Sequence, residues 1–301
     1  MQFDIEKMIQ NVPIVKLKSI SDNEVYASME KFNVCWSVKI KTMYYILKNA
    51  IESWKLDKSK TLLEASSWNA AISLSYLASA MWFSCIIVAP SQTASCKKQL
   101  IKSYWAKLIE TDGDTDQSIK EKDRIYNENP EAYFMTDQFN NLDNYEAHYN
   151  LTGPYIDEKV WNLDFIVWWL GTCGTLLWAW AYLKEKNPWL KIIAIDPIER
   201  VEWIYNYSQK MNETKIYATH KDLIDEIIEV DFKNDVVSWI NDYLAEWYFN
   251  WISSGAILSG AKKYLKDKKW LKWIVIAPDW WDYYFAELVN YIDLSKVSGC
   301  R

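Results

Sequence analysis

The sequence predicts an α/β protein built as two three-layer α/β domains with mostly parallel sheets. Three observations support this. Short apolar runs alternate with segments of helical periodicity, the pattern of βαβ units. That alternation occurs once before and once after Tyr149–Pro154, which divides the chain into 1–150 and 151–301. At 301 residues, half of them apolar, the chain can bury a large core without disulfides.

The elements follow in order. Asn33-Val-Cys-Trp-Ser-Val-Lys39 opens a helix around Met43–Ala50, which puts Lys39 in its first turn. Thr61–Ala65 is a short apolar run that reads as a strand, and Asn69–Met81 reads as a helix. Cys85–Ala89 is the next strand, Ala94–Trp105 the next helix, and Lys107–Glu110 a third strand. After the division, Phe165–Trp168 reads as a strand, Thr175–Lys186 as a helix and Lys191–Asp196 as a strand. Gly255–Leu265 reads as a helix and Trp273–Ala277 as the last strand. No repeat, coiled coil or low-complexity segment interrupts the pattern.

Composition narrows the function. With 34 Lys+Arg against 40 Asp+Glu, the net charge is −6 and the charges are mixed. That argues against non-specific nucleic-acid binding, which needs a basic face. Five widely spaced cysteines without a C-x-x-C, and two histidines (His148 and His220), argue against a zinc site, and no metal is expected. Reduced thiols suit the cytoplasm. The start, MQFDIEKMIQN, has early acids and no apolar h-region of a signal peptide. Phe165–Leu183 carries no charge and approaches the length of a membrane span. Its central Gly171-Thr-Cys-Gly-Thr175 is loop chemistry, so it reads as strand, loop and helix.

One part of the composition is abnormal. The chain has 19 Trp and 7 Gly. Glycine at its usual frequency would number about 21 in a chain of this length.

Three segments fall where strands give way to helices, the place where ligands gather in open α/β sheets. They are Glu64-Ala-Ser-Ser-Trp-Asn69, Gly171-Thr-Cys-Gly-Thr175 and Ile252-Ser-Ser-Gly-Ala256. The second could cradle a phosphate with backbone N–H groups and hydroxyls, or be a tight turn capped by Thr175. Likewise Ser66 and Asn69 could form a helix N-terminus with Asn as a plain cap. Lys39 sits against the positive end of its helix dipole. By itself it reads as a surface cation, although a lysine in such a place also suits a Schiff-base amine.

In order and spacing, these segments together resemble the pyridoxal-phosphate β-replacement enzymes, the family of cysteine synthase (O-acetylserine sulfhydrylase) and cystathionine β-synthase. Residues 11–17 (NVPIVKL) resemble N-T-P-L-V-x-L, 33–39 resemble N-P-G-G-S-V-K, and 64–71 resemble E-x-S-S-G-N-T-G. Residues 137–154 (DQFNNLDNYEAHYNLTGP) resemble D-Q-F-x-N-x-x-N-x-x-x-H-x-x-T-G-P. Residues 166–175 resemble V-x-G-x-G-T-G-G-T, and 251–255 resemble G-I-S-S-G. The resemblance spans nearly the whole chain.

The resemblance implies the tryptophan-synthase-β-like fold of type II pyridoxal-phosphate enzymes. In that arrangement, part of the first ~35 residues crosses to the other domain and the active site lies between the domains. It implies pyridoxal 5'-phosphate as cofactor and Lys39 as Schiff-base lysine and α-proton base. Asn69 and Ser253 would hold the cofactor ring, and Gly171, Thr172, Cys173, Gly174 and Thr175 its phosphate. Ser66, Ser67 and Gln138 would bind the substrate carboxylate. The implied reaction joins O-acetylserine (or O-phosphoserine) and sulfide into L-cysteine through an aminoacrylate. The alternatives are condensation of serine with homocysteine, or a catalytically weak homologue that acts as a binding partner. A homodimer and a serine acetyltransferase partner are also implied, with no nucleic acid and no membrane. His148 reads as a structural hydrogen-bonding residue, and Cys35 and Cys173 as small-residue substitutions. Ile40-Lys41, Ala70, Cys173 and Val34 depart from the family pattern, which puts substrate preference in question.

The resemblance also accounts for the tryptophans. Trp36, Trp68, Trp168, Trp178 and Trp251 fall where the family has Gly, and Trp54, Trp82 and Trp105 fall at turns. Adjacent pairs such as Trp168-Trp169 and Trp280-Trp281 would overpack a core. Counted as glycine, the 19 would bring glycine near its average frequency. This is the pattern expected of a gene whose UGA codons mean glycine but are written as tryptophan.

Overall fold

Four strands between Lys39 and Ala147 form one sheet in which every pair is parallel. In the computed structural model, residues 5–17, 22–66, 68–138, 140–170, 174–198, 217–218, 221–231, 234–235 and 252–279 are described. The chain falls into two units, Lys39–Ala147 and Met1–Val38 with His148–Arg301.

In the first unit, α2 (Lys39–Glu52) precedes β3 (Thr61–Ala65), α3 (Asn69–Ala80), β4 (Cys85–Pro90), α4 (Ser95–Ser103) and β5 (Lys107–Thr111). Next come α5 (Thr115–Glu128), β6 (Tyr133–Met135) and α6 (Asp143–Ala147). The sheet order is β5-β4-β3-β6. Leu63, Ala65, Val88 and Ile125 form a buried cluster beneath α5, with Ile86, Ile109 and Met135 packed on it. Each fully buried Leu, Ile or Val side chain contributes about 1.5–3 kcal/mol of transfer free energy. α5 is mostly polar and meets the cluster through Ile119, Ile125 and Tyr126. Its start is fixed by Asp114, whose carboxylate accepts from the N–H groups of Asp116 and Gln117.

The second unit contains α1 (Ile5–Gln10), β1 (Ile14–Leu17), β2 (Glu24–Met29), α7 (Gly153–Lys159) and β7 (Phe165–Trp169). It also contains α8 (Gly174–Lys186), β8 (Lys191–Pro197), β9 (Glu226–Val230), α9 (Ile252–Leu265) and β10 (Lys272–Ala277). The sheet order is β1-β2-β10-β7-β8-β9, and only β1–β2 is antiparallel. β7, β8 and β10 are buried runs of Val, Ile and aromatic residues, as central parallel strands require. The expected α/β class with mostly parallel sheets is therefore the observed one.

α7 and α8 approach closely at Gly153. A Cβ there would lie 2.9 Å from Tyr182 Cβ and 3.0 Å from the Ala179 carbonyl oxygen. The charge-free stretch Phe165–Leu183 divides between β7 and α8. Among the described residues, no helix is long and apolar enough to cross a membrane.

Candidate active site

Lys39 is the opening residue of α2 and is half-buried. The loop before it is held tightly. Asn33 donates its side-chain amide to Glu30 Oε2 at 2.7 Å, and the Trp36 N–H donates to the Asn33 carbonyl at 2.9 Å. Cys35 and Trp36 are consecutive left-handed residues, with φ of 61° and 52°. Ser37 then bridges to Asp279, and the Val38 N–H donates to the Pro278 carbonyl at 2.9 Å, just past β10. The backbone entering Lys39 is thus pinned to a strand end. Ile40 and Lys41, where the resembled family has Asp-Arg, are both fully buried.

The next residues leave β3. Ser66 is buried, and its hydroxyl accepts from the Trp68 N–H at 3.3 Å, closing a tight turn. Trp68 occupies the cap position and Asn69 is the first helical residue of α3. The plain-cap alternative for Asn69 therefore does not hold, because the helix starts one residue earlier than that reading requires. Ser67 lies outside the described residues.

Gln138 follows β6, the strand beside β3, and is buried. The register pairs Leu63 with Met135, so Glu64, within β3, and Thr136, just past β6, come next in that register. Across that step, Thr136 donates its hydroxyl to Glu64 Oε2, while Glu64 Oε1 accepts the Ala65 N–H at 3.0 Å. Burial pushes the Glu64 carboxyl above its usual range, against the opposing effects of Thr136, Lys122 and the Ala65 N–H. Asn144 donates to the Gln138 carbonyl at 2.6 Å and accepts from the Thr42 hydroxyl at 3.0 Å. Sequence reading assigned no role to Thr42, Asn144 or Glu64. The signal for Asn144 was its spacing from Gln138 in the 137–154 segment.

In the other unit, Gly174 and Thr175 open α8, and Gly171, Thr172 and Cys173 lie outside the described residues. Ile252-Ser-Ser-Gly-Ala256, expected to be a loop before a helix at Gly255, is the first turn of α9. Nothing in Ile-Ser-Ser breaks a helix, and first-turn N–H groups need no intrahelical partner. Ser254 is buried, and its hydroxyl has no hydrogen-bond partner among the described residues.

Two expected bystanders can be placed. His148 is buried and its Nδ1 lies 3.0 Å from the Thr152 hydroxyl. Burial pushes the Cys35 thiol up to about 12, which keeps it protonated and removes it as a nucleophile.

The family model for the pyridoxal-phosphate dependent enzymes matches residues 5–273. The chain belongs to this family. It is a pyridoxal-phosphate dependent enzyme, and pyridoxal phosphate is its cofactor. A cysteine synthase of Buchnera aphidicola (from Acyrthosiphon pisum) is 30% identical over 291 residues, covering 90% of this chain and 92% of that one. A cystathionine beta-synthase of Apis mellifera is 29% identical over 311 residues, 95% of this chain and 61% of that one. The crystal structure of cysteine synthase (OASS) from Entamoeba histolytica superposes with a TM-score of 0.86 at 25% identity, covering 100% of this chain and 97% of that one.

The residues present suit the cofactor of the pyridoxal-phosphate enzymes. Lys39 offers a primary amine at a helix start, and α8 presents a helix N-terminus suited to a phosphate. The buried hydroxyl of Ser254, which has no hydrogen-bond partner among the described residues and lies next to Ser253 at the start of α9, leaves hydrogen-bonding capacity for a polar ligand.

Proposed function

We propose that this enzyme forms L-cysteine from O-acetylserine, or O-phosphoserine, and sulfide by β-replacement. The observation that carries the reading is the placement of Ser66 and Gln138. Both follow adjacent parallel strands in register, β3 and β6, joined at their ends by the Glu64–Thr136 bond. Two polar side chains at neighbouring strand ends suit a small carboxylate.

Lys39 anchors the cofactor and then takes the substrate α-proton. Ser66, Ser67 and Gln138 hold the α-carboxylate. Asn69 would hydrogen-bond the ring oxygen, and the Gly171–Thr175 segment would hold the phosphate. Ser253 would bind the ring nitrogen. When bound, pyridoxal phosphate supplies the electron sink for loss of the α-proton and the β-leaving group. A neutral serine does not force protonation of the ring nitrogen as an aspartate would, which favours prompt loss of the leaving group. A cytoplasmic homodimer, with a serine acetyltransferase as partner, accompanies this reading.

The second reading is condensation of serine with homocysteine, favoured by the similarity to the Apis mellifera cystathionine beta-synthase. A donor and acceptor comparison separates the two. O-acetylserine, O-phosphoserine and serine are each offered with sulfide or with homocysteine. The first reading expects the highest kcat/KM for an activated serine with sulfide. Predominant cystathionine formation from serine would replace it with the second.

A further inference from the structure

Five tryptophans occupy left-handed backbone: Trp36 (φ 52°), Trp54 (59°), Trp82 (58°), Trp105 (69°) and Trp270 (65°). The other non-glycine residues with positive φ among those described are Cys35, Asp137 and Asn162. Asp and Asn tolerate this region because their short polar side chains bond locally, whereas a bulky side chain there is an outlier. Trp54, Trp82, Trp105 and Trp270 are also 82–90% exposed, the reverse of the usual burial of indole.

Three of the five share one structural position. α2, α3 and α4 end at Glu52, Ala80 and Ser103, and Trp54, Trp82 and Trp105 are each the second residue beyond. The Trp82 N–H donates to the Ser79 carbonyl at 3.2 Å and the Phe83 N–H to Ala78 at 2.8 Å. The Trp54 N–H donates to Ile51 at 3.1 Å and the Lys55 N–H to Ala50 at 2.9 Å. This is the Schellman pair of bonds, whose left-handed C′ residue is typically glycine. The Trp105 N–H makes the corresponding bond to Lys102 at 3.0 Å.

We infer that positions 36, 54, 82, 105 and 270 are glycine in the protein as the source cell makes it. A codon read as glycine in the cell and written as tryptophan produces this placement. Random tryptophans would not select helix C′ positions. The inference stands on backbone geometry and is independent of the proposed reaction.

The test is peptide mass analysis of the protein purified from its source cells. Trypsin releases Asn49–Lys55 and Ser103–Lys107, each with one of these positions. Both peptides are expected to carry glycine, and tryptophan in both would overturn the inference. A second measurement uses synthetic genes. The triple variant Trp54→Gly, Trp82→Gly, Trp105→Gly is expected to melt on the order of 10 °C above the tryptophan form. An unchanged or lower melting temperature would contradict it.

Discussion

Thr42 donates its hydroxyl to Asn144 Oδ1 at 3.0 Å, joining positions 102 residues apart. Asn144 in turn donates Nδ2 to the Gln138 carbonyl at 2.6 Å. Lys39 lies one helical turn before Thr42, so the helix that begins with the lysine is tied to the loop that presents Gln138. Thr42 and Asn144 are fully buried, so both bonds form away from water.

Asn144→Asp keeps the acceptor for Thr42 and replaces the donor facing the Gln138 carbonyl with an acceptor. The expected effect is a rise of about tenfold in KM for the amino-acid donor, the size of one lost buried hydrogen bond. The absorbance of the bound cofactor should be unchanged. Steady-state kinetics with a spectrum of the loaded enzyme checks this, and an unchanged KM would remove Asn144 as a positioning residue.

Glu64 gives a pH signature. Burial raises its folded-state pKa, so the folded protein holds a proton that the unfolded chain releases at lower pH. Stability is therefore lost as pH rises from the unfolded carboxyl value, about 4.3, through the folded one. Glu64→Gln keeps a neutral hydrogen-bonding group. It should melt several degrees above the parent at neutral pH, and the gap should close toward about pH 4. Melting curves across that range check it.

Asp225 gives the opposite sign. Partial burial raises its carboxyl pKa, but Lys184, Lys191 and the Ile192 N–H together hold it below the usual range. The bonds to Lys184 Nζ at 2.6 Å and Lys191 Nζ at 2.9 Å tie α8 to β8. Asp225→Asn should cost about 1–2 kcal/mol at neutral pH. That difference should fade as the pH falls through the folded carboxyl value, below about 4. Denaturant titrations at two pH values measure it.

The parallel sheets were legible because β3, β4, β8 and β10 are short apolar runs bounded by polar turns. β1, β2, β6 and β9 were not read. β9 (Glu-Ile-Ile-Glu-Val) lies at a sheet edge with two exposed glutamates, and β6 has only three residues. Their partners lie far along the chain, as with β2 and β10, and local periodicity does not record such pairing. Of the proposed site residues, Lys39, Ser66, Asn69 and Gln138 were singled out by motif order. The Glu64–Thr136 and Thr42–Asn144 bonds were not, because each joins side chains brought together only by folding. The start of α9 at Ile252 was also missed, since Ser and Gly weaken a helical pattern without breaking it.

The central claim is that Lys39 serves a cysteine-forming β-replacement. The most direct measurement is the rate of L-cysteine formation from O-acetylserine and sulfide by the cofactor-loaded enzyme and by its Lys39→Ala variant. The account predicts steady cysteine formation by the enzyme and a loss of at least about a hundredfold in the variant. Cysteine formation by Lys39→Ala at the parent rate, or none by a parent enzyme that binds the cofactor, would contradict it.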